Sequence, residues 1–118
     1  MLPADVPILS RADEEWLQKF ETYVNEHLAK DYLTMSFLAQ EFSMSESTLL
    51  RQLKRLTGLS PKHYLQEVRL AKALRLIEAG TNTSITRIAA DVGYANIQSF
   101  SRVFKQRFGK SPSEMIDA

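Results

Sequence analysis

The chain repeats itself, and this limits the folds open to it more than any other feature. Leu38-Ala39-Gln40-Glu41 returns as Ile88-Ala89-Ala90-Asp91, 50 positions later. From position 49 the offset becomes 51, so that Leu49, Arg51, Leu53, Lys54, Gly58, Ser60 and Pro61 fall on Phe100, Arg102, Phe104, Lys105, Gly109, Ser111 and Pro112. The one-residue slip lies in or just after a turn. A unit that occurs twice has to bury its apolar face twice in the same manner. The chain is therefore expected to form two small lobes of like design.

The elements of each lobe follow from periodicity and caps. Trp16, Leu17, Phe20, Val24 and Leu28 recur at three- and four-residue steps, which predicts an amphipathic helix from Asp13 to about Ala29. A leader with two prolines, residues 1–11, precedes it. Leu33, Phe37, Leu38 and Phe42 mark a short helix after the cap residue Thr34, and Ser43-Met44-Ser45 interrupts it. Ser45 can cap the next helix, whose inward Leu49, Leu53 and Leu56 run to Gly58. Two helices broken by a short turn outline a helix-turn-helix over about 34–58.

Ser60-Pro61 is a strong helix start, because the serine oxygen caps free amides and proline sits where no amide bond is lost. With Gly80 as the stop, residues 61–79 form a connecting helix about 28 Å long. Its apolar residues Tyr64, Leu65, Val68, Leu70, Ala73, Leu74 and Ile77 occupy more than one side, as a rod between two lobes requires. After the polar loop Thr81-Asn82-Thr83, Ser84 caps a short helix through Ile85, Ile88, Ala89 and Val92, and Gly93 supplies the turn. A longer helix runs from about Ile97 to Phe108, Gly109 ends it, and Ser111-Pro112 opens a last short one. The expected fold is all-α with about seven helices: two helix-turn-helix lobes, 34–58 and about 84–109, joined by a long central helix within a domain spanning 12–118.

Composition removes several function classes. A chain of 118 residues with 44% hydrophobic content can build a core. No apolar run approaches the roughly 20 residues of a membrane span, and Met1 to Ser10 lack a signal-peptide pattern. A cytoplasmic protein without a membrane partner is expected. With no cysteine there is no disulfide, thiolate nucleophile or cysteine zinc site. His27 and His63 stand apart from any carboxylate-histidine pattern and read as structural. Gly109-Lys110-Ser111 is similar to the end of a phosphate-binding loop, but Phe104 occupies the required first-glycine position. Asn82-Thr83-Ser84 fits a glycosylation acceptor, which has no role without secretion. Neither an enzyme, a cofactor, a metal nor a small-molecule ligand is expected in this chain.

The net charge of +1 hides a division. Residues 1–46 carry three basic side chains against nine acidic ones, whereas residues 47–118 carry twelve against five. Such asymmetry suggests that the later part faces a polyanion. On the first long helix, burial of the leucines leaves Ser47, Leu50 and Arg51 on another side, with Lys54 one turn on. On the second, Phe100, Phe104 and Phe108 point inward and Gln98, Ser101, Arg102 and Lys105 point outward. These residues suit duplex DNA: arginine bonds guanine at two points, glutamine does so with adenine, hydroxyls fit either role, and lysine neutralises phosphate.

The stretch Ile85 to Pro112, with Ile88-Ala89-x-x-x-Gly93-Tyr94 and Phe100-Ser101-Arg102-x-Phe104-Lys105-x-x-Phe108-Gly109-x-Ser111-Pro112, resembles the DNA-binding domain of the AraC/XylS family of bacterial regulators. The resemblance extends over about Phe20 to Ile116. It implies two helix-turn-helix lobes on a long helix and sequence-specific transcription regulation, by activation or repression, with both recognition helices in successive major grooves. It further implies that Ser47, Leu50 and Arg51 face bases from the first recognition helix, and Ile97, Gln98, Ser101 and Arg102 from the second. Lys54, Arg55 and Lys105 are the expected phosphate contacts, the leucine and phenylalanine stripes and Trp16 the expected core. Double-stranded DNA and RNA polymerase are the expected partners. A ligand-sensing or dimerising part would lie outside this chain, as in the output domain of a larger regulator.

Three positions depart from the family pattern. Ser43 stands where the first turn usually has glycine, Leu50 offers no hydrogen-bond donor and only a thymine methyl could meet it, and Arg87 takes a place that is often acidic. Two other functions compete. A helix-turn-helix can bind protein instead of DNA, but it would then lose outward basic residues, and Arg51, Lys54, Arg102 and Lys105 are all present. Alkyl-transfer repair enzymes carry a similar domain beside an acceptor cysteine, which this chain lacks.

Overall fold

The structure, a computed structural model, describes residues 9–80 and 84–117. The leader up to residue 8 and the loop Thr81-Asn82-Thr83 lie outside the described residues. Seven helices and no strand occur among the described residues: α1 Arg11–His27, α2 Met35–Glu41, α3 Glu46–Thr57, α4 Pro61–Ala79, α5 Ile85–Asp91, α6 Ile97–Phe108 and α7 Pro112–Ile116.

The helix starts are where short side-chain oxygens can take up free amides. Thr34, Ser45, Ser84 and Ser111 accept from the backbone N–H of Phe37, Thr48, Arg87 and Glu114, at 3.1, 3.1, 3.3 and 3.2 Å. Each of these satisfies a donor that the helix cannot. One start differs from the periodicity, and one has a cap that the sequence reading did not name. α1 begins ahead of Asp13 because Ser10 Oγ accepts from the Asp13 N–H. α6 is capped by Asn96, whose Oδ1 accepts from the Ser99 N–H at 2.9 Å.

The chain divides into two compact units. The first holds the described residues through His27 together with Tyr32–Val68. Its core is Phe20, Val24, Leu33, Leu38, Ala39, Leu49, Leu53, Leu56, Tyr64 and Val68, all buried, and α2 packs on α3. Trp16 is not fully part of it. Its ring stacks on Phe20 at 5.1 Å and meets the edge of Phe42 at 5.7 Å but remains half-buried, because it lies near the start of α1 where the core ends. The second unit holds Leu28–Asp31 and the described residues from Arg69 onward. Leu70, Ala73, Ile88, Ala89, Val92, Phe100 and Phe104 form its core. Phe108 points inward as expected, yet it closes the rim half-buried, edge-on to Phe104 at 4.7 Å.

Helix α4 runs unbroken through both units, lending Tyr64 and Val68 to one core and Leu70 and Ala73 to the other. This accounts for its apolar residues on more than one side. No helix among the described residues is long and apolar enough to cross a membrane.

The faces of α6 give a direct test. Phe104 is fully buried and Gln98 exposed. Phe104→Ala is expected to lose about 3–5 kcal/mol through lost burial and a cavity, enough to unfold much of a marginal lobe. Gln98→Ala should leave the melting temperature nearly unchanged, and the opposite order in a thermal melt would mean the faces are reversed.

Candidate nucleic-acid interface

Both α3 and α6 are set by the turn before them, and the two turns match bond for bond. In the first, Ser43 N–H donates to the Gln40 carbonyl and Met44 N–H to that of Ala39, at 3.1 and 2.8 Å. In the second, Gly93 donates to Ala90 and Tyr94 to Ala89, at 3.0 and 2.8 Å. The preceding C-caps, Phe42 and Val92, share φ −98°. The offset of 50 thus holds through Tyr94, whereas the caps Ser45 and Asn96 are 51 apart. Ala95 is the inserted residue, just after the turn.

The residue at the centre of each turn has positive φ, 56° at Ser43 and 91° at Gly93. That conformation costs a residue with a Cβ roughly 1–2 kcal/mol. The first turn therefore carries strain that the second avoids. At Gly93 a side chain is excluded twice, since a Cβ would also run into Arg69 Nη1 and the Leu28 carbonyl.

Arg69 is the positioning residue that sequence reading missed. Its Nη1 donates to the Leu28 and Val92 carbonyls, both at 2.8 Å, binding the segment after α1 to the end of α5. Burial lowers its affinity for the proton, but an arginine remains charged at neutral pH, and a charged donor suits two helix-end carbonyls. The partners lie 41 and 23 positions away, so no local pattern reveals them.

From these turns the outward faces emerge as the repeat predicts. On α3, Ser47, Arg51 and Lys54 are exposed and Leu50 is half-buried, opposite buried Leu49, Leu53 and Leu56. On α6, Ile97, Gln98, Arg102 and Lys105 are exposed and Ser101 is half-buried, opposite Phe100 and Phe104. Internal ties on these faces are slight. Arg51 Nη2 reaches Thr48 Oγ1 at 3.4 Å, Lys54 Nζ donates to the Gly58 carbonyl at 2.9 Å, and Lys105 Nζ is 4.0 Å from Glu114 Oε1. Exposed pairs of this kind hold weakly. Arg102 makes no hydrogen bond or ion pair with another of the described residues. Arg87 is exposed as well, on α5.

Arg55 has a partner within the fold that its expected phosphate role did not include. Its two terminal nitrogens grip both oxygens of Asp13 at 3.0 Å each, and Nη2 also donates to Gln52 Oε1 at 2.9 Å. This fork holds the Asp13 carboxyl below its ordinary range and ties α3 to α1. The residue's register on α3 turns it toward α1, which spacing within one helix does not disclose. The histidines have local partners: His27 Nδ1 donates to the Tyr23 carbonyl at 2.7 Å, and His63 Nδ1 is 2.9 Å from Ser60 Oγ.

Known proteins resemble this chain in sequence and in fold. The helix-turn-helix domain family profile matches residues 38–118. The chain is 39% identical over 93 residues to the HTH-type transcriptional activator RhaS of Escherichia fergusonii, covering 79% of the chain and 33% of the activator. It is 30% identical over 112 residues to histidine kinase P4 of Formosa agariphila, covering 95% of the chain and 8% of the kinase. The chain thus spans a third or less of the length of these two relatives. Among solved structures it is similar to the DNA-binding domain of AdpA, a global transcriptional factor, in complex with a target DNA. The TM-score there is 0.75 at 27% identity, over 86% of this chain and 89% of that one.

The contrast between the turns is measurable. Ser43→Gly should raise stability by about 1 kcal/mol, because it relieves positive-φ strain that outweighs the added entropy of an unfolded glycine. Gly93→Ala should destabilise by more than that, since it adds both strain and a collision with the Arg69 clamp. Denaturant midpoints of the two variants moving in the same direction would contradict this.

Proposed function

The chain belongs to the AraC/XylS family of helix-turn-helix transcription regulators, and from that premise we propose that it binds a two-part site in duplex DNA, one recognition helix to each part. The observation that carries this reading is the recurrence of an arginine and a lysine at matched outward positions, Arg51 and Lys54 on α3 and Arg102 and Lys105 on α6.

In this reading Arg51 and Arg102 each bond a guanine edge, and Gln98 bonds an adenine. Ser47 and Ser101 make shorter polar contacts, Leu50 and Ile97 apolar ones. Lys54 and Lys105 meet phosphates, which fixes register without reading sequence. Arg55 serves the fold through Asp13. The parts of the site are proposed to lie about 10 base pairs apart, in successive major grooves. The chain acts as the DNA-binding output of a longer regulator and works on transcription through RNA polymerase.

Selection from a random duplex pool should yield a preferred site, and a roughly fourfold rise in salt should lower affinity for it by about tenfold or more. On that site Arg102→Ala should cost about 1–3 kcal/mol and relax choice at one base, whereas Lys105→Ala should weaken all sequences alike. Failure to select any sequence would favour a helix-turn-helix that binds protein instead.

A further inference from the structure

Ile97 is an aliphatic side chain that the fold leaves at the surface. It is one of two large apolar side chains exposed among the described residues, at 37%, the other being Tyr32. It sits at the first position of α6, where a β-branched residue adds little helix propensity. The adjacent Asn96 is committed to capping, and the second unit's core does not include Ile97. The matched position on α3 is Glu46, an acidic residue that suits a first helical turn. The unit therefore has no structural need of an aliphatic side chain here.

Position supplies a need. Ile97 adjoins Gln98 and lies one turn before Ser101, on the face proposed to enter the major groove. The base edges in that groove present donors, acceptors and a single apolar group, the thymine C5 methyl. We propose that Ile97 is a specificity-determining residue that reads a thymine methyl in the second part of the site. Glu46 offers no aliphatic contact at the corresponding register of α3, so this reading belongs to the second part alone. Any methyl contact by Leu50 would fall in the first part, at the register of Ser101, and is separated from this one by location. The inference rests on the reading of α6 as a recognition helix.

Deoxyuridine tests it, because it removes the methyl and leaves base pairing intact. With the selected site, each thymine of the second part is replaced in turn and binding by the whole chain is measured. One replacement should weaken binding about fourfold, the ratio expected for one apolar carbon returned to water. In Ile97→Ala, and equally in Ile97→Glu, thymine and deoxyuridine sites should bind alike, with melting temperatures near that of the parent. A second part without thymine, no sensitive position, or a penalty that persists in both variants would overturn the proposal. Those outcomes leave the DNA-binding reading intact if Arg102→Ala still weakens the selected site, whereas failure to select any site defeats that reading itself.

Discussion

Two buried stripes hold up the rest of this structure. Leu49, Leu53 and Leu56 on α3, and Phe100 and Phe104 on α6, are withdrawn from water almost completely. Each such side chain contributes roughly 1.5–3 kcal/mol by burial. A helix of 12 residues is marginal in water alone, so the stripe decides both that the helix forms and which side it shows. The polar face is the remainder. Arg51 and Lys54, or Arg102 and Lys105, point outward because the leucines and phenylalanines between them cannot. Leucine in one copy and phenylalanine in the other fill different volumes on the same pattern, which explains why the copies agree in geometry while differing in sequence.

The copies part company in how they fix the turn that aims each helix. The second uses glycine at positive φ, closed over by Arg69, whose guanidinium ties Leu28 and Val92 together. The first keeps Ser43 in the same backbone region and accepts the strain. Its α3 is anchored instead by the Arg55 fork on Asp13 and by the leucine stripe, in a unit where Phe20 of α1 lies 5.0 Å from Phe42, just after α2. One unit thus fixes α6 by a clamp at the turn, the other fixes α3 by a brace along the helix.

What was legible in the sequence was whatever is local or periodic. Thr34, Ser45, Ser84 and Ser111 cap as read, since a cap needs only an oxygen three residues before a free amide. The stripes, the long α4 and the matched outward faces follow from spacing alone. Trp16 shows the limit of periodicity, which gives the side of a helix but not how far the core extends along it. Arg69 and Arg55 show another: their partners are distant in the chain, and an arginine bound for a carbonyl or a carboxylate looks like one bound for phosphate. Asn96 was within reach, as asparagine is a favoured cap, but the inserted Ala95 displaced it from the position of Ser45. For Ile97 the family resemblance implied an outward place, and its exposure emerged only from the folded unit.

The central claim is that both outward faces read DNA, each through its arginine. Methylation interference at guanine N7 tests it, because that atom is one of the two an arginine would take. With the selected site, interference is predicted at two guanines about 10 base pairs apart. Arg51→Ala should erase one and Arg102→Ala the other, each leaving its neighbour in place. Interference confined to a single guanine, or a pattern that neither substitution changes, would contradict the account.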